Sequence, residues 1–148
     1  MGVNYFNKSE PVPAISIIMP MFNVDKYVGQ CLDSVLAQTF KDYEVMLVND
    51  CSTDRSREIA ESYLDKFDGR LRIHSLAHNS GGAAVPRNTA IRMARGKYLY
   101  ILDSDDVLLP KTLEEFYNAA EEFDADYVHT EKHFISTIGD QISPPMFH

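Results

Sequence analysis

"YILDSDDVLL", residues 100–109, is the stretch that decides the fold of this chain. It includes the end of a strand predicted over 97–102, which stops abruptly at the acidic cluster 103–106. The three carboxylates in these four positions repel one another, which costs stability at the end of a buried strand. Two explanations follow: the carboxylates hold a ligand, or they form an acidic loop that caps the next helix.

Outward from this stretch, strand-like and helix-like segments alternate along the chain. Strands are predicted at 15–19, 43–49, 71–76, 97–102 and 126–136. Helical spacing predicts three helices, marked by Val28, Cys31, Leu32, Val35 and Leu36, then by Ile59, Ala60, Tyr63, Leu64 and Phe67, and last by Leu113, Phe116, Tyr117, Ala120 and Phe123. The five residues of the last helix are predicted to face inward. A further helix is predicted to follow the loop 79–88 and to end at Gly96, and Pro20 is predicted to stop the first strand. This alternation predicts an α/β fold with a mostly parallel central sheet flanked by helices.

Composition and charge exclude one class of function. The chain has 148 residues, of which 45% are hydrophobic and 24% charged, and this suits one domain with a hydrophobic core. Its formal net charge is −8 and it has no cluster of Lys or Arg, which argues against binding to nucleic acid. We expect a flexible lead-in over 1–13, one domain over 14–138 and a tail over 139–148.

The sequence carries no pattern typical of secretion or membrane insertion. Residues 1–13 lack the basic start and the apolar core of a signal peptide. The longest apolar run, 14–22, is about half of the roughly 18 residues that a membrane span requires. Cys31 and Cys51 are too few for a disulfide scaffold, and Cys31 is expected to be a buried, reduced thiol. We therefore expect a soluble, cytoplasmic protein.

Three polar clusters follow predicted strands and are expected to share one crevice. They are PMFN at 20–23, DCSTD at 50–54 and DSDD at 103–106. Ligands of open parallel sheets bind beyond the carboxyl ends of the strands, where all three clusters fall. The Asp-x-Asp spacing of Asp103 and Asp105 suits Mg²⁺ or Mn²⁺, with phosphates and water completing the coordination shell. The preceding strand and the helix-opening proline that follows favour a site over a cap.

Asp50 leaves two interpretations open. Its carboxylate follows a buried strand, and it can accept a hydrogen bond from an N–H donor such as the imide of uracil. It can equally be a turn or helix-capping aspartate, a role for which Ser52, Thr53 and Asp54 compete.

The other candidate motifs are weaker. Gly81 and Gly82 occur without a dinucleotide-binding or P-loop motif, so they predict a plain loop, with Arg87 available to a diphosphate. His129 and His133 have a spacing that suits a metal site on a helix, but they lie in a predicted strand. A metal site at these histidines is therefore discounted.

Four motifs in order resemble those of family 2 glycosyltransferases, enzymes with the Rossmann-like GT-A fold. They are a strand ending in Pro-x-Phe-Asn, a strand ending in Asn-Asp-x-Ser-x-Asp, an Arg-Asn helix start, and Leu-Asp-Ser-Asp-Asp. Each motif is weak alone, but four at these intervals are specific. The resemblance covers residues 14–128 and corresponds to the N-terminal, nucleotide-sugar-binding half of such enzymes.

The resemblance implies transfer of a sugar from a nucleotide diphosphate donor, commonly a UDP-sugar, to an acceptor hydroxyl with inversion at the anomeric carbon. The implied nucleoside pocket residues are Pro20, Phe22 and Asn23, the other implied substrate-binding residues are Asp50, Arg87, Asp103 and Ser104, and the implied metal ligands are Asp105 and Asp103. In this set Asp50 would bind the base and Arg87 would lie near the nucleotide. Asp103 would approach the ribose or the metal, and Asp105 would be the main metal ligand.

The resemblance also implies a cofactor and partners. A Mg²⁺ or Mn²⁺ ion would neutralise the diphosphate and relieve the repulsion among the carboxylates. The implied partners are a nucleotide-sugar donor and a glycan, lipid-linked or other hydroxyl acceptor. Association of a full-length protein with the cytoplasmic face of a membrane stays open.

Two departures from the family pattern bear on the function. Family members place the catalytic base, usually an Asp or Glu, well after the Asp-Ser-Asp-Asp motif, yet only 42 residues follow Asp106. We therefore expect a truncated chain whose base lies downstream, and Glu131 is not favoured as the base. Met21 stands where many relatives carry a small polar residue. The alternative function is a non-catalytic nucleotide- or cation-binding module.

Overall fold

The computed structural model describes residues 11–129, 134–135 and 141–142. The strands are β1 (Ile15–Met21), β2 (Tyr43–Asn49), β3 (Leu71–Ser75), β4 (Tyr98–Ile101), β5 (Phe134–Ile135) and β6 (Gln141–Ile142). The helices are α1 (Val28–Leu36), α2 (Ser56–Glu61), α3 (Ala84–Met93) and α4 (Thr112–Phe123). Strands and helices alternate in the predicted order from β1 to α4.

The strands β1 to β4 form one sheet in the order β3-β2-β1-β4, and every neighbouring pair is parallel. This confirms the predicted parallel α/β architecture. The chain builds outward from β1 through β2 to β3, and then returns to place β4 on the other side of β1. In open α/β sheets, such a reversal opens a crevice at the carboxyl ends of the strands.

β1 continues through Pro20, so the prediction that Pro20 stops this strand is wrong. Pro20 stays in register with Val48 of β2. The backbone of Ile18 faces β4, because its carbonyl accepts a hydrogen bond from Leu102 N. The backbone of Pro20, two residues later, faces the same side of β1. Because β4 has already ended there, the missing N–H of Pro20 costs no hydrogen bond between strands.

Both faces of β1 and β2 are buried, which explains their nearly continuous apolar sequences. One core layer includes Ile17, Met19, Leu32, Val35, Val45, Leu47 and Leu113, and the other includes Ile18, Met46, Val48 and Ala90. Burying a side chain of this size contributes about 1.5–3 kcal/mol relative to leaving it exposed. The two layers therefore fix the strands, and with them the strand ends at which the polar clusters lie.

α2 is shorter than the periodicity predicts. It ends at Glu61, and turns follow as far as Gly69. Tyr63 and Phe67 are buried, but Leu64, which helical spacing groups with them, is 40% exposed. Because the regular helix ends before these residues, helical spacing no longer decides which of them face the core.

α3 also ends before the predicted residue, at Met93, and Gly96 has a different role from the predicted helix end. A Cβ atom at Gly96 would lie 2.6 Å from the backbone nitrogen of Ser16, closer than side chains tolerate. The Gly96 N–H donates to Ser16 Oγ at 2.8 Å. Glycine is therefore needed here because the chain passes close against β1 as it enters β4.

The chain divides into two compact units, residues 1–117 and residues 118–148. In the second unit Phe123 is 72% exposed, so its predicted inward position is wrong. The helix ends at Phe123, and Asp124 leaves it with a φ of 47°.

Among the residues placed by the structure, no helix has the length and hydropathy needed to cross a bilayer.

The strand predicted over 126–136 is only partly observed. Residues 126–129 form no strand, whereas 134–135 are β5, which pairs antiparallel with β6 in a separate two-stranded sheet. The remaining residues of the predicted strand, including Glu131, lie outside the described residues. The sequence 126–136 has fewer apolar residues than those of β1 or β2, and its mixed alternation does not specify a strand of the main sheet.

Candidate active site

A cleft of about 480 Å³ lies at the carboxyl ends of β1, β2 and β4, where the strand order reverses. Its walls are formed by Pro20, Met21, Phe22, Val24, Asp50, Asn79, Gly81, Gly82, Ala83, Pro86, Arg87, Asp103, Ser104 and Asp105. Of the residues that the sequence predicted for the site, all except Asn23 lie in these walls. The fold therefore brings together four segments that are far apart in sequence.

The backbone, and not a helix cap, holds the acidic cluster at the cleft. Leu102 N donates to Ile18 O at 3.0 Å, which extends the pairing of β4 by one residue. Asp106 N donates to Asp103 O at 3.0 Å, which closes a tight turn. α4 begins only at Thr112. The cluster is therefore not the cap of α4, and the structure removes that alternative.

The side chains of the cluster differ in exposure. Ser104 is only 4% exposed and lies at the base of the cleft wall. The side chain of Asp103 is 46% exposed, and Asp105 is also exposed. Both carboxylates can therefore be reached by a ligand that enters from solvent.

Asp103 and Asp105 fit a divalent cation by the chemistry of their donor atoms. Carboxylate oxygens are the ligands that Mg²⁺ and Mn²⁺ prefer. Within the part of the chain that the structure describes, no group of three or more His, Cys, Asp or Glu side chains is arranged to hold a metal ion. A cation at this pair would thus complete its shell with phosphate oxygens and water. Of the discounted pair His129 and His133, His133 lies outside the described residues.

Asp50 braces the loop that precedes α3. It is 2% exposed, and both of its carboxylate oxygens accept hydrogen bonds from Ser80. Ser80 N donates to Oδ1 at 2.8 Å and Ser80 Oγ donates to Oδ2 at 2.8 Å, while Asn79 Nδ2 donates to the Asp50 carbonyl at 2.9 Å. At the start of α2, the Ser56 N–H donates to Asp54 Oδ1 at 2.9 Å, so Asp54 and not Asp50 bonds to this end of the helix. Asp50 is therefore a cleft residue and not the cap of α2.

Sequence reasoning missed Asn79 and Ser80. The pair is separated from Asp50 by 29 and 30 positions, and such long-range contacts leave no local pattern. The available signal was the run of small polar residues before Gly81, which is typical of a tight turn. Gly81 has a φ of 81°, so the turn uses a conformation that favours glycine.

Asn23 does not line the cleft and instead ties two loops together. Its backbone has a φ of 48°, which asparagine tolerates better than most residues. Its Oδ1 accepts a hydrogen bond from Thr53 N at 2.8 Å, and its Nδ2 donates to Thr53 Oγ1 at 3.2 Å. These bonds join the loop after β1 to the loop after β2. They fix the backbone beside Phe22, which is 47% exposed in the cleft wall.

Arg87 lies near the start of α3, and the N-terminal end of this helix forms part of the cleft wall. Its Nη2 lies 3.5 Å from Asp103 Oδ1, and the side chain of Arg87 is 37% exposed. Among the described residues, its buried Nε atom has no hydrogen-bond partner. No side chain caps the helix at Ala83, and no acidic residue lies in its first turn. This wall therefore presents positive charge that suits an anion.

Cys31 packs behind the acidic cluster and is not a candidate nucleophile. Its Sγ lies 3.7 Å from the carbonyl oxygen of Asp103. Burial raises the pKa of the thiol well above its usual range, and the negative charges of Asp106, Asp105 and Asp103 raise that pKa further. The group therefore stays a neutral thiol, and the prediction of a buried, reduced cysteine is confirmed.

Comparison with known proteins identifies the family. The sequence model of "Glycosyl transferase family 2" matches residues 16–147. The chain is 43% identical over 117 residues to the uncharacterized glycosyltransferase EpsJ of Bacillus subtilis strain 168, covering 79% of this chain and 33% of EpsJ. It is 39% identical over 116 residues to the poly(ribitol-phosphate) beta-N-acetylglucosaminyltransferase TarP of Staphylococcus aureus strain N315, covering 77% of this chain and 35% of TarP.

Solved structures agree with this result. The crystal structure of S. aureus TarS 1–349 in complex with UDP matches with a TM-score of 0.72 and 37% identity, covering 76% of this chain and 33% of that one. The same TarS segment in complex with UDP-GlcNAc matches with a TM-score of 0.72 and 38% identity, covering 76% and 32%. The chain spans about a third of the length of these relatives. It belongs to glycosyl transferase family 2 and has the GT-A fold that its sequence predicted.

Proposed function

We propose that this chain is the donor-binding part of a glycosyltransferase that uses a UDP-sugar. The observation that carries the proposal is the convergence of Asp50, Arg87, Asp103 and Asp105 on one cleft where the strand order reverses. The relatives support the choice of donor, since TarS was solved with UDP and with UDP-GlcNAc.

The nucleoside of the donor is assigned to the side of the cleft formed by β1 and β2. Pro20 and Phe22 offer apolar surface to a base, and Asp50 offers a carboxylate to a ring N–H. The hydrogen bonds from Ser80 fix this carboxylate, and Asn79 Nδ2 also donates to Oδ2 at 3.5 Å. Oδ1 retains a second acceptor position for the ligand.

The diphosphate is assigned to the opposite side, between α3 and the end of β4. Arg87 and the uncapped N-terminus of α3 supply positive charge to the phosphate oxygens. Asp103 and Asp105 would hold the cation at the other side of the same phosphates. A bound Mg²⁺ or Mn²⁺ would neutralise the charge that develops on the departing diphosphate.

The proposed reaction is a direct displacement with inversion. The acceptor hydroxyl oxygen forms a bond to the anomeric carbon while the bond from that carbon to the diphosphate oxygen breaks. UDP leaves with the bonding electron pair, and the hydroxyl proton passes to a base. We assign no described residue as this base. The acceptor is proposed to be a hydroxyl of a glycan, a polyol phosphate or a lipid-linked glycan. We also propose that the protein is located in the cytoplasm, as expected from the sequence.

A non-catalytic nucleotide- or cation-binding module is the second candidate. The observation that favours it is that the described cleft residues offer groups for binding a nucleotide and a cation. Incubation with radiolabelled UDP-GlcNAc and a poly(ribitol phosphate) acceptor separates the two candidates. Release of labelled GlcNAc or its transfer supports an enzyme, whereas nucleotide binding without either supports a module.

Calorimetric titration tests the donor assignment directly. We expect UDP and UDP-GlcNAc to bind more tightly with Mn²⁺ than with EDTA, and more tightly than GDP-mannose. Equal binding of GDP-mannose would contradict the uridine preference, and equal binding in EDTA would contradict the role of the metal. Failure of all three nucleotides to bind would overturn the proposed function.

A further inference from the structure

Arg87 makes an unusually loose contact with the carboxylate of Asp103. The contact is a single one of 3.5 Å from Nη2 to Oδ1, and both side chains are more than one-third exposed. The Nε atom of Arg87 is buried without a hydrogen-bond partner among the described residues. A guanidinium can donate five hydrogen bonds, so this one is far from satisfied by the protein.

We propose that Arg87 is the internal counter-ion of Asp103, that a divalent cation must displace it, and that it thereby couples cation binding to nucleotide binding. In this role Arg87 acts on the cation indirectly, through its contact with Asp103. The coupling to a nucleotide rests on the proposed function, whereas the competition with the cation belongs to the cleft without any nucleotide.

The competition follows from charge and distance. A cation bound by Asp103 would lie within a few ångströms of the Arg87 guanidinium, and two positive charges at that distance repel one another. Release of Arg87 costs little, because solvent screens a long, half-exposed ion pair and leaves it with little net stabilisation. The guanidinium therefore gives way to a divalent ion more readily than a buried, bidentate partner would.

The coupling follows from what the released guanidinium meets. Arg87 and Asp105 line the same cleft, so a diphosphate held there can contact both the arginine and a bound cation. The N–H groups of Arg87 that do not bond to Asp103 can donate hydrogen bonds to phosphate oxygens. A nucleotide whose phosphates bind Arg87 releases Asp103 to bind the cation. By thermodynamic reciprocity, the bound cation then raises the affinity for the nucleotide.

Titration with Mn²⁺ alone, without nucleotide, tests the competition. We expect Arg87→Gln to bind Mn²⁺ about two- to fivefold more tightly than the wild type, the range set by a half-exposed ion pair. Arg87→Lys keeps the positive charge and should stay within about twofold of the wild type. Arg92→Gln is the matched control, because Arg92 is exposed on the same helix and its side chain contacts Thr89 Oγ1 at 3.4 Å instead of the cleft.

A second titration in the presence of UDP tests the coupling. We expect UDP to increase the affinity for Mn²⁺ in the wild type, and to increase it by a smaller factor in Arg87→Gln. The inference is overturned if Arg87→Gln binds Mn²⁺ no more tightly than the wild type, if Arg92→Gln has the same effect, or if no variant binds Mn²⁺.

The two proposals fail in different ways. Tighter Mn²⁺ binding in Arg87→Gln together with no binding of UDP would support the counter-ion and overturn the proposed donor. Binding of UDP together with an unchanged Mn²⁺ affinity in Arg87→Gln would overturn the counter-ion and leave the donor in place. Circular dichroism and melting curves of each variant confirm that the compared proteins are folded.

Discussion

Two arginine–carboxylate pairs lie at opposite ends of the same parallel strands and differ in geometry and burial. At the amino ends, Arg95 Nε and Nη2 donate to Glu44 Oε2 at 3.0 and 2.9 Å, and the two side chains are 16% and 4% exposed. At the carboxyl ends, Arg87 reaches Asp103 through one contact of 3.5 Å, and both side chains are partly open to solvent. The first geometry holds segments of the chain together, and the second leaves the carboxylate accessible.

The surroundings of the two pairs extend the contrast. Glu44 Oε1 also accepts hydrogen bonds from Ser16 Oγ at 2.7 Å and from Arg95 N at 2.8 Å, so the buried charge is satisfied from three sides. In the cleft, by contrast, Asp103 has one long contact with Arg87 at 3.5 Å, and Asp105 lines the same wall and is exposed. The same sheet therefore buries a well-bonded ion pair at its amino end and leaves the carboxylates of Asp103 and Asp105 accessible at its carboxyl end, where a ligand can bind.

The largest expected effect comes from breaking the buried pair. Glu44→Gln should lower the free energy of unfolding by about 3–5 kcal/mol, because it leaves the Arg95 guanidinium buried without its counter-charge. Urea denaturation followed by circular dichroism measures this loss. The control is Glu61→Gln, which removes an exposed partner of Arg57 and should cost less than about 1 kcal/mol. Equal losses in the two variants would show that burial does not distinguish the pairs.

The next effect concerns the cleft and is a loss of binding. Asp50→Asn should weaken the binding free energy of UDP by about 1.5–3 kcal/mol, the range for a hydrogen bond to a charged group. Asp54→Asn serves as the control, because Asp54 bonds to backbone N–H groups of Asp25 and Ser56 and does not line the cleft. Calorimetry beside a melting curve should show lost affinity in the first variant and lost stability in the second. Unchanged affinity in Asp50→Asn would contradict the base contact.

A third prediction returns to the amino end of the sheet. Gly96→Ala should destabilise the protein by about 1–3 kcal/mol, because the added Cβ would meet the backbone of Ser16 at 2.6 Å and of Ile15 at 2.9 Å. Gly82→Ala is the matched substitution at the cleft, where no atom lies within 4 Å of the added Cβ. Thermal melting should show a clear loss in Gly96→Ala and almost none in Gly82→Ala. A larger loss in Gly82→Ala would contradict the tight approach to β1.

The smallest expected effect is on the stability of the open pair. Asp103→Asn should change the free energy of unfolding by less than about 1 kcal/mol, since it loses a long, half-exposed ion pair but also reduces the repulsion from Asp105 and Asp106. The same variant should lower the affinity for Mn²⁺ in the presence of UDP. A stability loss as large as that of Glu44→Gln, measured under the same urea conditions, would remove the contrast between the two pairs.

Much of the fold could be predicted because its signals are local. β1 and β2 are buried on both faces, so their sequences are almost entirely apolar. The acidic cluster at 103–106 could be placed at the sheet edge because it directly follows an apolar strand. Where the regular helix stopped early, as before Leu64, periodicity no longer indicated which side chains are buried.

The contacts that shape the site could not be predicted in the same way. The bonds from Ser80 to Asp50 and from Thr53 to Asn23 each join residues about 30 positions apart. Nothing in the local sequence of either partner specifies the other, because such pairs form only once the strands are in register. The sequence therefore indicated which residues lie at the sheet edge, but not that Asn23 ties loops together while Asp50 braces the cleft wall.

The loops around the cleft are cross-linked to one another by hydrogen bonds before any ligand arrives. Asn23 bonds to Thr53, Asp25 N donates to Asp54 Oδ2 at 3.1 Å, and Asp50 holds the loop before α3. Fixing one residue of backbone costs about 1–2 kcal/mol of conformational entropy. Because folding has already ordered these segments, a bound nucleotide does not have to order them again. The cleft is thus preorganised, and most of the free energy of each new contact remains available as affinity.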